Sequence, residues 1–215
     1  MKTLIAALFA LCFMTVPAMA AEDMPKPPAQ QSDKEAAPAP KTATAIFAGG
    51  CFWCMESDFD DVKGVTETIS GYTGGAVEEP TYEQVSEGNT GHFEALKVTY
   101  DPSIVSYEEL LKVYWQNVDP LDAAGQFCDK GYQYRTAIFF ITAEQEKAAL
   151  ASHMEVQKKL GKPIATLVMP ATRFWYAEDH HQNYHQDNSN GYKFYRTACG
   201  RDSRLEEVWG GKKAE

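Results

Sequence analysis

Apolar positions along the chain recur with two different periods. Runs that are continuously apolar, or that alternate at every second residue, predict β-strands, and apolar residues at every third or fourth position predict helices. The predicted strands cover residues 44–48, 65–72, 92–100, 132–141 and 165–169. Helices are predicted to start at Phe52, Ser106 and Thr142, with a short turn or helical piece at 80–85 and a short helix at 178–186.

The order of these elements predicts the fold class. Glu109 stands three residues after Ser106, and Gln145 stands three residues after Thr142, which is the pattern of a capped helix start. The order strand, helix, strand, strand, helix, strand, helix, strand indicates an α+β two-layer sandwich, in which helices pack on a mixed sheet. The first topology we expect is a split β-α-β arrangement, the ferredoxin-like plait. From Asp187 onward the sequence is polar, with scattered aromatic residues, and we expect a coil tail.

The first 41 residues have the composition of a targeting segment and a linker. Lys2 precedes an apolar run at 4–16, and Pro17 to Ala20 has the small-x-small form of a secretory cleavage site. The run is too short to span a membrane comfortably, so we expect a signal peptide at 1–20 and a periplasmic or secreted protein without a membrane span. Residues 21–41 are rich in Pro and Ala and predict a disordered spacer. One catalytic domain is expected at 42–215.

Charge and cysteine content narrow the possible partners. The formal net charge is −10 and no long basic run is present, which argues against nucleic acid as a partner. Loss of Cys12 with the signal peptide leaves Cys51, Cys54, Cys128 and Cys199. In an oxidising compartment an even number of cysteines is compatible with structural disulfides, and a disulfide-stapled binding module is therefore one alternative to an enzyme.

The segment Gly49-Gly50-Cys51-Phe52-Trp53 joins the first predicted strand to the first helix. The Cys51 thiol falls at the first turn, where unpaired N–H groups and the helix dipole favour a thiolate. The two glycines would let backbone or substrate approach the sulfur closely. The competing interpretation is an inert buried cysteine.

Glu94 is an unexpected residue in its strand. It shares one face of that strand with Leu96 and Val98, so the carboxyl group lies on the more apolar side. Burial disfavours the charged form, and we expect a raised pKa and a protonated acid near neutral pH. A buried acid satisfied by an arginine or by backbone donors is the alternative.

Several aromatic residues flank these two groups, and the histidines suggest a different chemistry. Aromatic walls suit a small apolar ligand, and tyrosine hydroxyls can donate to an oxygen. The residues in question are Phe52, Trp53, Tyr82, Tyr132 and Tyr134. His181 and His185 have the spacing of zinc ligands on a helix, but the general-base glutamate of such motifs is absent, so no metal is predicted.

Four segments together resemble the peptide methionine sulfoxide reductases of the A class. They are Gly-Cys-Phe-Trp-Cys-Met-Glu at 50–56, Gly-His-Phe-Glu-Ala at 91–95, Asp-Lys-Gly-Tyr-Gln-Tyr-Arg-Thr-Ala-Ile-Phe at 129–139 and Ala-Glu-Asp-His-His-Gln at 177–182. The similarity covers about residues 44 to 200, in the order the family has.

The resemblance implies a role for each matched residue. Cys51 would attack the sulfur of methionine-S-sulfoxide, free or in a peptide, and become a sulfenic acid. Glu94, with Tyr82 and Tyr134, would protonate and hold the sulfoxide oxygen. Phe52 and Trp53 would form the pocket for the substrate's methyl group, and Asp129 would organise the site. No metal or organic cofactor is implied, and we expect a monomer.

The resemblance also implies a resolving cysteine that forms a disulfide, which a thioredoxin-like partner then reduces. Many family members carry it directly after Asn-Gly-Tyr, but here Lys193 follows Tyr192. We favour Cys199 as the resolving residue, with Cys54 as its rival and Cys128 behind both. An alternative enzyme is a thioredoxin-like disulfide oxidoreductase that uses Cys51 and Cys54.

Overall fold

The computed structural model describes residues 42–210 of the 215-residue chain. The signal peptide predicted at 1–20 and the spacer predicted at 21–41 lie outside the described residues. Within 42–210, no helix is both long enough and apolar enough to cross a membrane.

Eight strands and seven α-helices are found in the described part of the chain. The strands are β1 (Ala43–Gly49), β2 (Val65–Thr73), β3 (Phe93–Tyr100), β4 (Gly125–Gln126), β5 (Asp129–Lys130), β6 (Thr136–Phe140), β7 (Leu167–Pro170) and β8 (Trp175–Tyr176). The helices are α1 (Phe52–Asp60), α2 (Tyr82–Ser86), α3 (Tyr107–Gln116), α4 (Ala143–Leu160), α5 (Tyr184–Asp187), α6 (Ser189–Ala198) and α7 (Arg201–Trp209). Short 3-10 turns lie at Tyr132–Tyr134 and Asp179–His181.

The main sheet has the strand order β7-β6-β1-β3-β2-β8. Its pairs are antiparallel except for β6 with β7, so the sheet is mixed as predicted. In the central strands β6-β1-β3-β2, α1 connects β1 to β2 and α3 lies between β3 and β6 in the chain. This is the split β-α-β arrangement of the ferredoxin-like plait, and the predicted fold class is confirmed.

The hydrophobic core lies between one face of the sheet and the helices α1, α3 and α4. Phe47, Met55, Leu96, Leu110 and Tyr114 are fully buried there. The opposite face of the sheet carries a smaller cluster that includes Phe93 and Phe139. Glu94 continues the face of β3 that carries Leu96, as the alternation in the sequence predicts.

Three predicted elements differ from the structure in detail. The strand predicted at 132–141 begins only at Thr136, because Gly131 (φ 137°) turns the chain and Gln133 is buried, donating to the Ser86 carbonyl at 2.8 Å. Residues 123–130, for which no strand is predicted, contain the small hairpin β4–β5. The helix predicted at 178–186 is interrupted by Asn183, whose φ of 53° is incompatible with a continuous helix.

The coil tail predicted after Asp187 is wrong, because this segment forms α6 and α7. The polar composition gave no apolar pattern from which two helices could be predicted, because these helices are held largely by polar contacts. Tyr192 on α6 and Leu205 on α7 are buried, and Arg201 is only 1% exposed. Gly200, with φ 66°, makes the bend between the two helices.

Candidate active site

Cys51 lies at the junction of β1 and α1. Gly50 has a φ of 84°, and a Cβ on it would lie 2.6 Å from Cβ of Gln126, so only glycine fits this tight turn. Cys51 is the N-cap residue of α1, with φ −50° and ψ 121°, and it is 6% exposed. Its carbonyl accepts from the N–H groups of Cys54 (3.1 Å) and Met55 (3.3 Å). The thiol therefore stands at the helix start, as predicted.

Glu94 reaches the same helix start from β3. The side chain is 2% exposed, and its Oε2 accepts a hydrogen bond from the Phe52 backbone N–H at 3.1 Å. Burial raises the pKa of Glu94 to about 8, although the Phe52 hydrogen bond acts in the opposite direction. The predicted raised pKa is confirmed, and the carboxyl group is mostly protonated at pH 7.

One cavity of about 70 Å³ joins these groups. It is lined by every residue that the sequence analysis placed in catalysis or substrate binding, which are Cys51, Phe52, Trp53, Tyr82, Glu94, Asp129 and Tyr134. A larger groove of about 590 Å³ lies between α3 and α4, but its lining includes no thiol. The predicted chemistry is therefore gathered in the small cavity.

Two tyrosine hydroxyls face Glu94 in this cavity. Burial raises the pKa of both the Tyr82 and the Tyr134 phenol, and the nearby Glu94 acts in the same direction, so both stay protonated. The backbone N–H of Tyr82 donates to Oε1 of Glu178 at 2.8 Å, and Tyr72 donates to Oε2 of Glu178 at 2.9 Å. Glu178 thus fixes α2, and with it the Tyr82 ring, against the sheet.

The aromatic wall is built from α1 and from the segment that follows β8. Phe52 packs against Tyr72, with ring centroids 5.9 Å apart, and Trp53 stacks on Tyr184 at 3.8 Å. His181 lies against the Tyr82 ring at 4.4 Å.

The histidines at zinc-like spacing do not converge. His181 belongs to the aromatic wall, whereas His185 Nε2 lies 3.2 Å from Asp60 Oδ2 on the far side of α1. Asn183 interrupts the helix between the two histidines. Their four-residue spacing in the sequence therefore does not place both side chains on one face of a helix.

Cys54 is in direct contact with Cys51. It is 2% exposed and belongs to the same buried cluster as Cys51. The neighbouring Cys51 thiol and the charges of Arg201 and Arg196 lower the pKa of Cys54, while burial opposes this effect.

The pKa of Cys51 differs from the sequence-based expectation. Burial raises it well above its ordinary value, and the neighbouring Cys54 and Glu94 act in the same direction. The helix start does not compensate, because the Cys51 side chain accepts no cap hydrogen bond, while the Phe52 N–H donates to Glu94 and the Cys54 and Met55 N–H groups donate to the Cys51 carbonyl. The predicted lowering at the helix N-terminus is therefore wrong for the resting protein.

The remaining two cysteines form a disulfide. Cys128 and Cys199 are bonded, with Cα atoms 4.9 Å apart, and Cys128 is exposed. Both sulfur atoms lie within 4.8 Å of a carboxylate oxygen of Asp129. Cys199 is thus bonded to Cys128, and its favoured role as the resolving residue remains a prediction.

Tyr195 and Arg201 belong to the site but are not predicted from the sequence. The Tyr195 hydroxyl donates to Oδ2 of Asp129 at 2.5 Å, and Tyr195 lines the cavity beside Cys51. Arg201 donates to the Asn117 carbonyl at 2.7 Å and, at 3.4 Å, to the Gly49 carbonyl just before the catalytic turn. The spacing of Tyr192, Tyr195 and Cys199 is that of one helix face, and this signal could have revealed α6.

The chain and the site can be compared with known proteins. A family model described as peptide methionine sulfoxide reductase matches residues 43–213. A "Peptide methionine sulfoxide reductase MsrA 2" of Caulobacter vibrioides is 51% identical over 174 residues, covering 80% of this chain and 88% of the relative.

Two solved structures are also similar to this chain. The reduced form of Mxr1 from Saccharomyces cerevisiae has a TM-score of 0.68 at 31% identity, covering 73% of this chain and 90% of that one. Methionine sulfoxide reductase A of Corynebacterium diphtheriae has a TM-score of 0.66 at 33% identity, covering 70% and 76%. The chain belongs to the peptide methionine sulfoxide reductase family, in its A class.

Proposed function

We propose that this protein reduces methionine-S-sulfoxide, free and in peptides, to methionine. The observation that carries the proposal is the pairing of a cysteine and a protonated carboxylic acid across one small cavity. Cys51 supplies the nucleophilic sulfur, and Glu94, whose pKa is raised to about 8, supplies a proton at neutral pH. The names of the relatives support the same reaction.

The first half of the reaction transfers oxygen from substrate to enzyme. The Cys51 sulfur attacks the sulfoxide sulfur while Glu94 protonates the sulfoxide oxygen, with the Tyr82 and Tyr134 hydroxyls placed to hold that oxygen. The oxygen then passes to Cys51, which becomes a sulfenic acid, and methionine leaves. Glu94 regains a proton from the Cys51 thiol, so atoms and charge balance. Phe52 and Trp53 provide an apolar wall for the methyl group.

The second half restores the thiol, and the geometry favours Cys54 as the resolving residue. The Cys54 sulfur attacks the Cys51 sulfenic acid, so that an S–S bond forms as the S–O bond breaks. The Cys54 thiol proton passes to the departing hydroxyl group, which leaves as water. Cys51 and Cys54 belong to one buried cluster, and Cys51 is the N-cap residue of α1 with an extended ψ of 121°, so its side chain is not fixed by a helical backbone conformation. This assignment replaces Cys199, which is bonded to Cys128.

The reductant and the location are further parts of the proposal. A thioredoxin-like dithiol protein returns two electrons to the enzyme in each cycle, and the protein acts as a monomer. Export to the periplasm, or secretion, is supported by the charged, apolar and small-residue pattern at 1–20. Oxidised methionine in exported proteins would then be its protein substrate.

The test is turnover of a peptide that carries one epimer of methionine sulfoxide, with excess dithiothreitol. We expect methionine from the S epimer only, and no product with Cys51→Ser. A folded, reduced protein that leaves the S epimer intact but reduces the disulfides of insulin would contradict the proposal and favour a disulfide oxidoreductase. Retained turnover in Cys51→Ser would contradict it as well.

A further inference from the structure

A buried thiolate at Cys51 needs a hydrogen-bond donor, and the helix start does not offer one readily. A charge in a closed cavity is unfavourable unless donors surround it. The N–H groups of Phe52, Cys54 and Met55 bind the Glu94 carboxyl group and the Cys51 carbonyl, and the Cys51 side chain accepts no cap hydrogen bond from α1. A side chain of another element is therefore a candidate donor.

The titratable groups facing the sulfur can be considered one by one. Cys54, Glu94, Tyr82, Tyr134 and Tyr195 surround it. Cys54 raises the pKa of the Cys51 thiol, so it disfavours the thiolate. The Tyr82 and Tyr134 hydroxyls lie near Glu94, where the substrate oxygen is bound in the proposed reaction. Tyr195 remains as the donor for the sulfur.

Tyr195 is held in position by α6. It packs against the cluster of Cys51, Cys54 and Tyr192, and its ring stands edge-on to Trp53 at 5.9 Å. One residue later, Arg196 Nη1 lies 3.1 Å from Oδ1 of Asp58 on α1. At its C-terminal end α6 is tied to the loop before Asp129 by the Cys128–Cys199 disulfide.

The Tyr195 hydroxyl has one proton and two acceptors within reach. At rest it donates to Asp129, at 2.5 Å, and the Cys51 sulfur lies in the same cavity and the same packed cluster. Hydrogen bonding from Tyr195 is the influence on the Cys51 thiol that opposes the rise of its pKa. A thiolate, being charged, competes for this donor better than a thiol does.

We propose that Tyr195 is a further catalytic residue, whose hydroxyl stabilises the Cys51 thiolate as it attacks, and that Asp129 holds this hydroxyl until the thiolate forms. The inference rests on the proposed function in taking Cys51 as the nucleophile. Tyr195 keeps its proton throughout and changes only the acceptor to which it donates. Asp129 then acts on the sulfur through Tyr195, as a positioning residue.

The test measures Cys51 directly, without a sulfoxide substrate. The protein, with its Cys128–Cys199 disulfide intact, is alkylated with iodoacetamide across pH, and the rate at Cys51 is followed by site-resolved mass spectrometry. In Tyr195→Phe the midpoint for Cys51 should rise by about one to two pH units, the usual strength of a hydrogen bond to a charged group.

Tyr184→Phe is the matched control for Tyr195→Phe. Tyr184 also packs beside Trp53, but its hydroxyl accepts from Nδ2 of Asn188 at 2.8 Å. The Cys51 midpoint should therefore stay unchanged. An equal midpoint in Tyr195→Phe and wild type would overturn the proposal, whether or not the enzyme reduces methionine sulfoxide. Loss of sulfoxide turnover alone would bear on the proposed function and not on Tyr195.

A double-mutant cycle separates a hydrogen-bond role from a structural one. Asp129→Asn should free the Tyr195 hydroxyl for the sulfur and lower the Cys51 midpoint, opposite to the effect of Tyr195→Phe. In the Tyr195→Phe background the same change should have no effect. A decrease of equal size in both backgrounds would show that Asp129 acts through its charge alone, and would overturn the proposal.

Discussion

Asp129 and Tyr195 lie between two cysteine pairs, Cys51 with Cys54 and Cys128 with Cys199, that differ in burial and in bonding. Cys51 and Cys54 are buried free thiols on one helix turn, in contact with a protonated carboxyl group. Cys128 and Cys199 are 71 residues apart in the chain and form a disulfide, with Cys128 exposed to solvent. Asp129 and Tyr195 connect the two pairs.

The difference shows how one fold can separate oxygen transfer from the solvent. Burial raises the pKa of Glu94, so this acid keeps a proton that it can donate to the substrate. The Cys128–Cys199 disulfide has no such acid to keep protonated in the proposed reaction. The same burial raises the pKa of Cys51, so the buried pair depends on donors and cations brought by other elements. Arg201 and Tyr195 come from α6 and α7, the segment to which the exposed disulfide is attached.

The largest expected effect comes from removing Cys54. With a thioredoxin-like protein as reductant, Cys54→Ser should lose nearly all steady-state turnover, because the Cys51 sulfenic acid has no adjacent thiol. Reduced enzyme given one equivalent of sulfoxide, without reductant, should still release one methionine. Its sulfenic acid should then be trapped by dimedone and detected by mass spectrometry.

Cys199→Ser is the control that distinguishes the two pairs. In a single turnover it should still form the Cys51–Cys54 disulfide and should give no dimedone adduct. The reverse pattern, with an adduct in Cys199→Ser and a disulfide in Cys54→Ser, would return Cys199 to the resolving role that the sequence favours.

The next effect concerns Glu94, the protonated acid that lies beside Cys51 and Cys54. Glu94→Gln keeps the size and neutrality of the side chain but cannot supply a proton, so kcat/KM should fall by about 10²–10⁴-fold. Wild-type kcat/KM should also decline as pH rises through about 8, where Glu94 loses its proton, and this decline should be absent in the variant. Initial rates with dithiothreitol across pH provide the measurement.

Glu87→Gln, at an exposed position of the same residue type, is the matched control for Glu94→Gln. It should reproduce the wild-type rate and pH profile. An alkaline decline of the same midpoint in Glu94→Gln would assign the proton to a different group.

The residues around the buried pair could largely be predicted from the sequence, because hydrophobic alternation and a helix start are local signals. The period-two pattern placed Glu94 beside Leu96, and the apolar run before Gly50 placed Cys51 at the end of a strand. The Glu94 pKa followed from the same pattern, since a carboxyl group on an apolar face must be poorly solvated.

The contribution of α6 and α7 could not be predicted in the same way, since it depends on buried polar contacts over long separations. Arg201 is charged, and sequence patterns place such residues at the surface. Its burial is explained only by partners far along the chain, such as Asn117 and Asp58. The pairing of Cys128 with Cys199 is equally non-local, because connectivity among four cysteines does not follow from their spacing.

A smaller effect is expected from breaking the exposed pair. The disulfide closes a loop with a sequence separation of 71, and chain-entropy arguments give a stabilisation of about 4 kcal/mol at most. The double variant Cys128→Ser, Cys199→Ser should therefore unfold at a lower urea concentration. Dithiothreitol should lower the stability of the wild type to the same level and leave that of the variant unchanged. Equal midpoints for wild type and variant would show that α6 is held by its other contacts.

The smallest effect concerns Glu56, a buried acid on α1. Like Cys51 and Cys54 on the same helix, it is poorly solvated. Glu56 is fully buried, with Oε2 3.7 Å from Nδ1 of His185, and burial raises its pKa from 4.5 to about 7. A raised pKa means that the folded state binds more protons than the unfolded state between these values, so this group's contribution to stability is lost as pH rises through about 7.

In Glu56→Gln that loss is absent, and the free energy of unfolding should decline less between pH 5 and pH 8 than in the wild type. Other buried acids titrate in the same window, above all Glu94, so the informative quantity is the difference between the two urea-unfolding curves at each pH. Glu87→Gln, a change at an exposed position, is the control and should follow the wild type. Parallel curves for wild type and Glu56→Gln would mean that Glu56 is already ionised at pH 5. The effect of burial on acid groups would then be confined to the cavity that holds Cys51.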